Sequence, residues 1–119
     1  MSTLNVSNIT DGTDTVETGY VVNGSAKAWV NFNGSGTIAA RDSLNVSSLT
    51  DNGTGRASAN FTNNMLNTNY LQLAISNHWH TLSHSGNKLV SSQEVLSANN
   101  SHAYADTTQV NLAINGDLA

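Results

Sequence analysis

Lys27-Ala28-Trp29-Val30-Asn31-Phe32-Asn33-Gly34, then Arg41-Asp42-Ser43-Leu44-Asn45-Val46-Ser47-Ser48-Leu49-Thr50-Asp51-Asn52-Gly53-Thr54-Gly55, and a return through Ala57, Ala59 and Phe61, form the stretch that decides the fold. Ala28, Val30 and Phe32 fall on one side of the first segment and Trp29, Asn31 and Asn33 on the other, the two-residue period of a half-buried strand. Asn33-Gly34-Ser35-Gly36 stops it, because Gly and Asn take positive φ at low steric cost. Leu44 and Val46 alternate with Asn45 and Ser47 in the next strand. Residues 50–55 then read as a hairpin loop built on Asn52-Gly53, the strongest short hairpin signal.

The same pattern continues toward the C-terminus. Leu71, Leu73 and Ile75 share a face within 69–76, and Val110, Leu112 and Ile114 share one within 109–115. Between them, 78–83 and 88–92 read as a hairpin around Ser85-Gly86-Asn87, and 94–98 is the one stretch suited to a helical turn. About seven short strands with Gly/Asn turns predict an all-β chain, a small antiparallel β-sandwich over 26–119. Residues 1–25 read as an extended N-terminal arm whose apolar positions, Leu4, Val6, Ile9, Val16 and Tyr20 to Val22, are too few to fold alone. Leu4-Asn5-Val6-Ser7 with Thr10-Asp11 recurs as Leu44-Asn45-Val46-Ser47 with Thr50-Asp51, two similar strand-turn pieces without a third copy.

Composition agrees. The chain has 119 residues, room for one domain, and only 6% are aromatic, so its core must be thin and largely aliphatic. Asn, Ser and Thr together make up 46 residues while 10% are charged, which describes a neutral, hydrogen-bonding surface and disfavours long helices. A net charge of −4 offers no footprint for nucleic acid or an anionic membrane. There is no cysteine, hence neither disulfide nor thiolate metal site. There is no Pro either, so nothing of that kind blunts an edge strand, and coverage of the edges by neighbouring subunits is expected. No stretch has the length of a membrane span, and the first residues lack the basic and apolar regions of a signal peptide, which predicts synthesis in a cytoplasm.

Chemistry has few candidates. His78 and His80 flank Trp79, with His84 and His102 nearby. Two histidines at i and i+2 on a strand point the same way and would begin a metal site, but a closed shell needs three or four ligands. An exposed His/aromatic recognition surface is the preferred reading, with no metal and no cofactor. Asp11, Asp14 and Glu17 do not match a calcium loop and read as a solvated acidic arm. Eight Asn-x-Ser/Thr sequons follow from composition alone. No nucleophile-base motif exists, and Glu94 is the one Glu besides Glu17, so no enzyme activity is expected. Trp29 lies opposite the Val30/Phe32 face and is expected to pack under the arm or in a subunit interface, where large aromatics are enriched.

The segment from Lys27 to Gly34 with that from Arg41 to Gly55 resembles a recurrent module of bacteriophage virion proteins, known from phages of cyanobacteria and other aquatic bacteria as tail-fibre-like or structural. Thr3-Leu4-Asn5-Val6 and Val110-Asn111-Leu112-Ala113-Ile114-Asn115-Gly116-Asp117 resemble that family's two ends, whereas 78–106 departs from it. The resemblance implies a virion component made in a bacterial host cytoplasm, without catalytic residues, and multimeric, a trimer being favoured. Two roles follow as expectations. One is a capsid decoration, cement or fibre-like protein that docks on capsid or tail through its arm. The other is a receptor-binding module that recognises host surface glycans through Trp79, His78 and His80.

Overall fold

Alternation along the chain becomes two sheets that share one core. The computed structural model describes the backbone of residues 1–119 and the side chains of all but residues 82–86. In chain order the elements are β1 (Asn8–Thr10), β2 (Thr15–Glu17), α1 (Thr18–Gly24), β3 (Ala26–Asn33), β4 (Ala39–Leu44), β5 (Val46–Gly53), β6 (Arg56–Phe61), β7 (Leu71–Ser76), β8 (His80–Leu89), β9 (Ser92–Ala98) and β10 (Val110–Asn115). One four-stranded antiparallel sheet runs β4-β3-β10-β7 and the other β5-β6-β9-β8, while β1 and β2 form a separate hairpin. The fold is an all-β antiparallel sandwich of eight strands, one more than the sequence pattern suggests.

The inward positions are those the period marks. Phe32, Val30 and Ala28 stand opposite Val110, Leu112 and Ile114 across the β3/β10 pair. All six are buried and meet Ala57, Ala59, Phe61 and Val95 of the other sheet in a single apolar cluster. Ala57 and Ala59 on β6 leave room for the larger side chains of the facing sheet, so the two layers interdigitate. Tyr70, just before β7, closes one end. Its ring meets Phe61 edge-on at 6.1 Å, and its hydroxyl lies within bonding distance of the carbonyls of Leu89 and Ser92 and of Gln93 Oε1. Desolvation pushes the phenol up to about 12.

Several elements differ from the sequence expectation. Residues 94–98 are not a helical turn but part of β9, which pairs with β6 on one side and β8 on the other and is buried from Gln93 to Ala98. A strand flanked on both edges and covered on both faces leaves a helical turn no space. The Ser85-Gly86-Asn87 signal does not reverse the chain; β8 continues through it and turns at Val90-Ser91. Ser83 pairs with Val95 and Lys88 with Gln93, so residues 84–87 bulge opposite Glu94 alone. In the β5/β6 hairpin, Asn52-Gly53 stays within β5 and the two-residue turn is Thr54-Gly55. Residues 18–24 of the arm form a helix, which the extended reading missed.

The Leu71, Leu73, Ile75 set shares a face, but that face points away from the core. These side chains are 56%, 59% and 66% exposed, while Gln72, Ala74 and Ser76 turn toward the interior. Register decides this: Leu112, which is buried, pairs with Ala74, and Ala113, on the outer face, pairs with Leu73.

Gly55 sits at φ +66 beneath the 97–105 segment, with its N–H donating to Asp106 Oδ1 at 2.7 Å. An added Cβ would stand 2.5 Å from the Ser97 carbonyl and 2.6 Å from the Ala105 nitrogen, both backbone atoms. Gly36 has the same φ of +66 but open space around it. Gly36→Ala should therefore cost about 1 kcal/mol, the left-handed penalty alone, and Gly55→Ala at least about 3 kcal/mol. Urea unfolding of the two variants measures the difference, and equal costs would contradict the packing described.

Candidate functional site

The two outer faces of the sandwich have opposite chemistry. On the β5/β6 side, Asn60 Nδ2 donates to Ser48 Oγ at 3.0 Å and Thr50 Oγ1 at 2.9 Å, and Asn52 Nδ2 donates to Ser58 Oγ at 2.7 Å. The Asn/Ser/Thr richness of the sequence thus becomes a cross-strand ladder of neutral hydrogen bonds. At its end, on the same outer face and opposite Ser58, stands Glu94 of β9, fully buried. Its Oε1 accepts from Arg56 Nε at 3.0 Å and Asn52 Nδ2 at 3.0 Å, and its Oε2 accepts from Asn87, which the 84–87 bulge carries over it. Burial pushes this carboxyl up, yet the bonds from Asn87 and Asn52 and the Arg56 charge outweigh that and hold it below its ordinary value of 4.5.

The β4-β3-β10-β7 sheet carries an apolar strip on its outside. Two cross-strand rows define the face: Leu44, Trp29, Ala113, Leu73, and Asp42, Asn31, Asn111, Ile75. Trp29, Asn31, Asn111 and Ala113 line a shallow groove of about 440 Å³ against the Leu73/Ile75 ridge. At its polar centre Asn31 Nδ2 donates to Asn111 Oδ1 at 2.6 Å. Arg41 borders it, donating to the Thr108 carbonyl at 2.6 Å.

The histidines do not converge. His78 Nε2 lies 2.8 Å from the Asp106 carbonyl, whereas the His80 ring stacks on His102 with centroids 4.5 Å apart. Trp79 between them is 77% exposed. His84 lies outside the described side chains. Among the described residues no three His, Cys, Asp or Glu come together as a metal site would require. In the arm, Asp11 Oδ1 accepts from the N–H groups of Thr13 and Asp14, both at 2.9 Å, which closes the β1/β2 turn and lowers the Asp11 pKa.

The arm buries nothing. Leu4, Val6, Ile9, Val16 and Tyr20, the positions picked out in the sequence, are all exposed, as are Val21 and Val22. Thr18 Oγ1 reaches back to the Val6 carbonyl at 2.9 Å, and Asn115 Nδ2 holds the Gly24 carbonyl at 2.7 Å where the arm joins β3. Sequence reasoning found Trp29 and the arm, but it missed the β7 ridge and the Glu94 cluster. The ridge has an ordinary core pattern, and the cluster is assembled from residues up to 42 apart along the chain.

The chain is thus an antiparallel β-sandwich with one polar exterior and one that carries an apolar strip. Comparison with protein families, characterised proteins and solved structures finds no match to it.

Removing Arg56 would leave the Glu94 carboxylate buried without its cation. Breaking a fully buried pair costs about 3–5 kcal/mol, and Arg56 is 35% exposed and partly screened, so Arg56→Ala should lose about 2 kcal/mol. The pH dependence has a definite sign. A carboxyl that ionises below its unfolded value stabilises the fold above pH 4.5, and that contribution fades as pH falls through the folded value. Urea midpoints measured from pH 7 to pH 3 should drop less steeply for Glu94→Gln than for the parent chain.

Proposed function

We propose that this chain is a phage virion structural protein, a capsid decoration or fibre-like component that assembles as a homo-oligomer and presents a neutral polar surface to water. The observation that carries it is the contrast between the two outer faces. The β5/β6 exterior satisfies its polar groups internally and suits permanent exposure, whereas the β3/β10/β7 exterior leaves a contiguous apolar strip of the kind that marks an interaction site. An arm with no buried residue adds a second contact surface. The resemblance of the Lys27 to Gly55 segments to phage virion modules supplies the setting, and neither face has the charge to bind nucleic acid. The purified chain should sediment as an oligomer and pellet with virion particles when mixed with them. A chain that stays monomeric and free of the particles sinks this reading.

One observation favours an additional role in recognising host glycans: Trp79 projects into solvent beside the stacked His80/His102 pair, an aromatic platform with polar neighbours. Adsorption of virions to host cells should fall about tenfold or more with Trp79→Ala if one stacking contact of about 1.4 kcal/mol is lost. Unchanged adsorption leaves the assembly role alone.

A further inference from the structure

We propose that the apolar outer face of the β4-β3-β10-β7 sheet is the seat of the N-terminal arm of a second copy of this chain. The inference rests on the assembly reading above and names its contact. It starts from the arm, which has a defined shape that its own contacts do not sustain. A hairpin of three-residue strands and a seven-residue helix, none of whose residues is buried, is below the size at which either element holds in water. Another surface must supply the burial.

The arm does not lie on its own sandwich. The molecule is 51 Å long against 29 and 25 Å in its other dimensions, while an eight-residue strand such as β3 spans only about 27 Å. The arm therefore extends the long axis. Lys27 fixes this departure, donating to the carbonyls of Val22 and Ser25, together with the Asn115 to Gly24 bond. Within one copy, the apolar residues of the arm and those of the sheet face both stay in water.

Area and charge say what covers them. By the scaling of accessible surface with mass a folded 12.5 kDa chain exposes about 6,200 Å², and this one exposes 7222 Å², an excess of about 1,000 Å². One partner's share of a standard stable interface is about 800 Å². The arm contains Asp11, Asp14 and Glu17 and neither Lys nor Arg, whereas the receiving face is bordered by Arg41, which makes no ion pair among the described residues. Asp42 beside Arg41 is the one acid on the face rows. At the centre of the face Asn31 Nδ2 donates to Asn111 Oδ1 and Arg41 donates to Asn31 Oδ1, so both side-chain oxygens there are already engaged.

Packing two identical faces against each other would leave both arms uncovered. Seating an arm covers both surfaces at once. Each copy then gives one arm and receives one, a head-to-tail contact that closes into a ring such as a trimer.

Complementation between variants of the full chain tests this. Leu73→Asp/Ile75→Asp damages the face and Val6→Asp/Ile9→Asp damages the arm, all at exposed positions, so circular dichroism should report an unchanged β fold for both. Each variant alone should sediment as a monomer, with self-association weakened at least about 100-fold, as expected when two apolar anchors of about 1.4 kcal/mol each are lost. An equimolar mixture should form one-to-one dimers, because it contains one intact arm and one intact face. In a Trp79→Phe background, Trp29 should resist acrylamide quenching in the parent oligomer and become quenchable in both variants. An oligomer indifferent to Leu73→Asp/Ile75→Asp, or one that survives the arm variant, overturns the proposed contact and leaves the assembly reading standing, as does a mixture that forms no dimers. A monomeric parent chain overturns both.

Discussion

The pairing of β10 on both its edges is the constraint on which the rest of the structure depends. The last strand of the chain lies between β3 and β7, so neither sheet order nor core is complete until residues 110–115 arrive. Its inward side chains, Val110, Leu112 and Ile114, are the partners of Phe32, Val30 and Ala28, and they are the centre of the buried cluster. Its outward residues, Asn111 and Ala113, bridge Trp29 and Asn31 to the β7 ridge. One strand thus builds the core on one side and the apolar exterior on the other. Contacts this distant in sequence close large loops, so the pairing of β10 carries a large share of the entropy cost of the fold.

The second sheet is organised around a charge instead. Glu94 stands in a strand buried on both faces, where an unpaired carboxylate would be untenable. Arg56 from the adjacent strand, Asn52 from the hairpin end and Asn87 from the β8 bulge converge on it, so β5, β6, β8 and β9 are held in register by one acid. The same cluster adjoins the neutral polar ladder on that outer face. The two exteriors therefore differ in what their outward side chains meet. One leaves Leu71, Leu73 and Ile75 in water, while the other spends its polar side chains on satisfying a buried ion and one another.

On one side the chain exposes Leu71, Leu73 and Ile75 beside a half-buried Trp29, and on the other it presents hydrogen-bonded Asn, Ser and Thr. The histidines separate into a carbonyl contact at His78 and a ring stack of His80 on His102, with no converging ligand set among the described residues.

The sequence by itself determined the strand period of β3, β6 and β10, the identity of their inward residues and the all-β class, because alternation is a local property that a pleated backbone converts directly into two faces. It also marked residues 1–25 as too poor in apolar surface to fold alone. Only the tertiary structure decided which face of β7 is inside, since Leu71, Leu73 and Ile75 carry a core pattern and the register against β10 turns them outward. Likewise, Ser85-Gly86-Asn87 reads locally as a turn, but the two-sided burial of β9 holds β8 alongside it and converts the turn into a bulge. The physical reason is common to both. Side-chain alternation fixes which residues lie together, and only pairing with a distant strand fixes which side of the sheet meets the core.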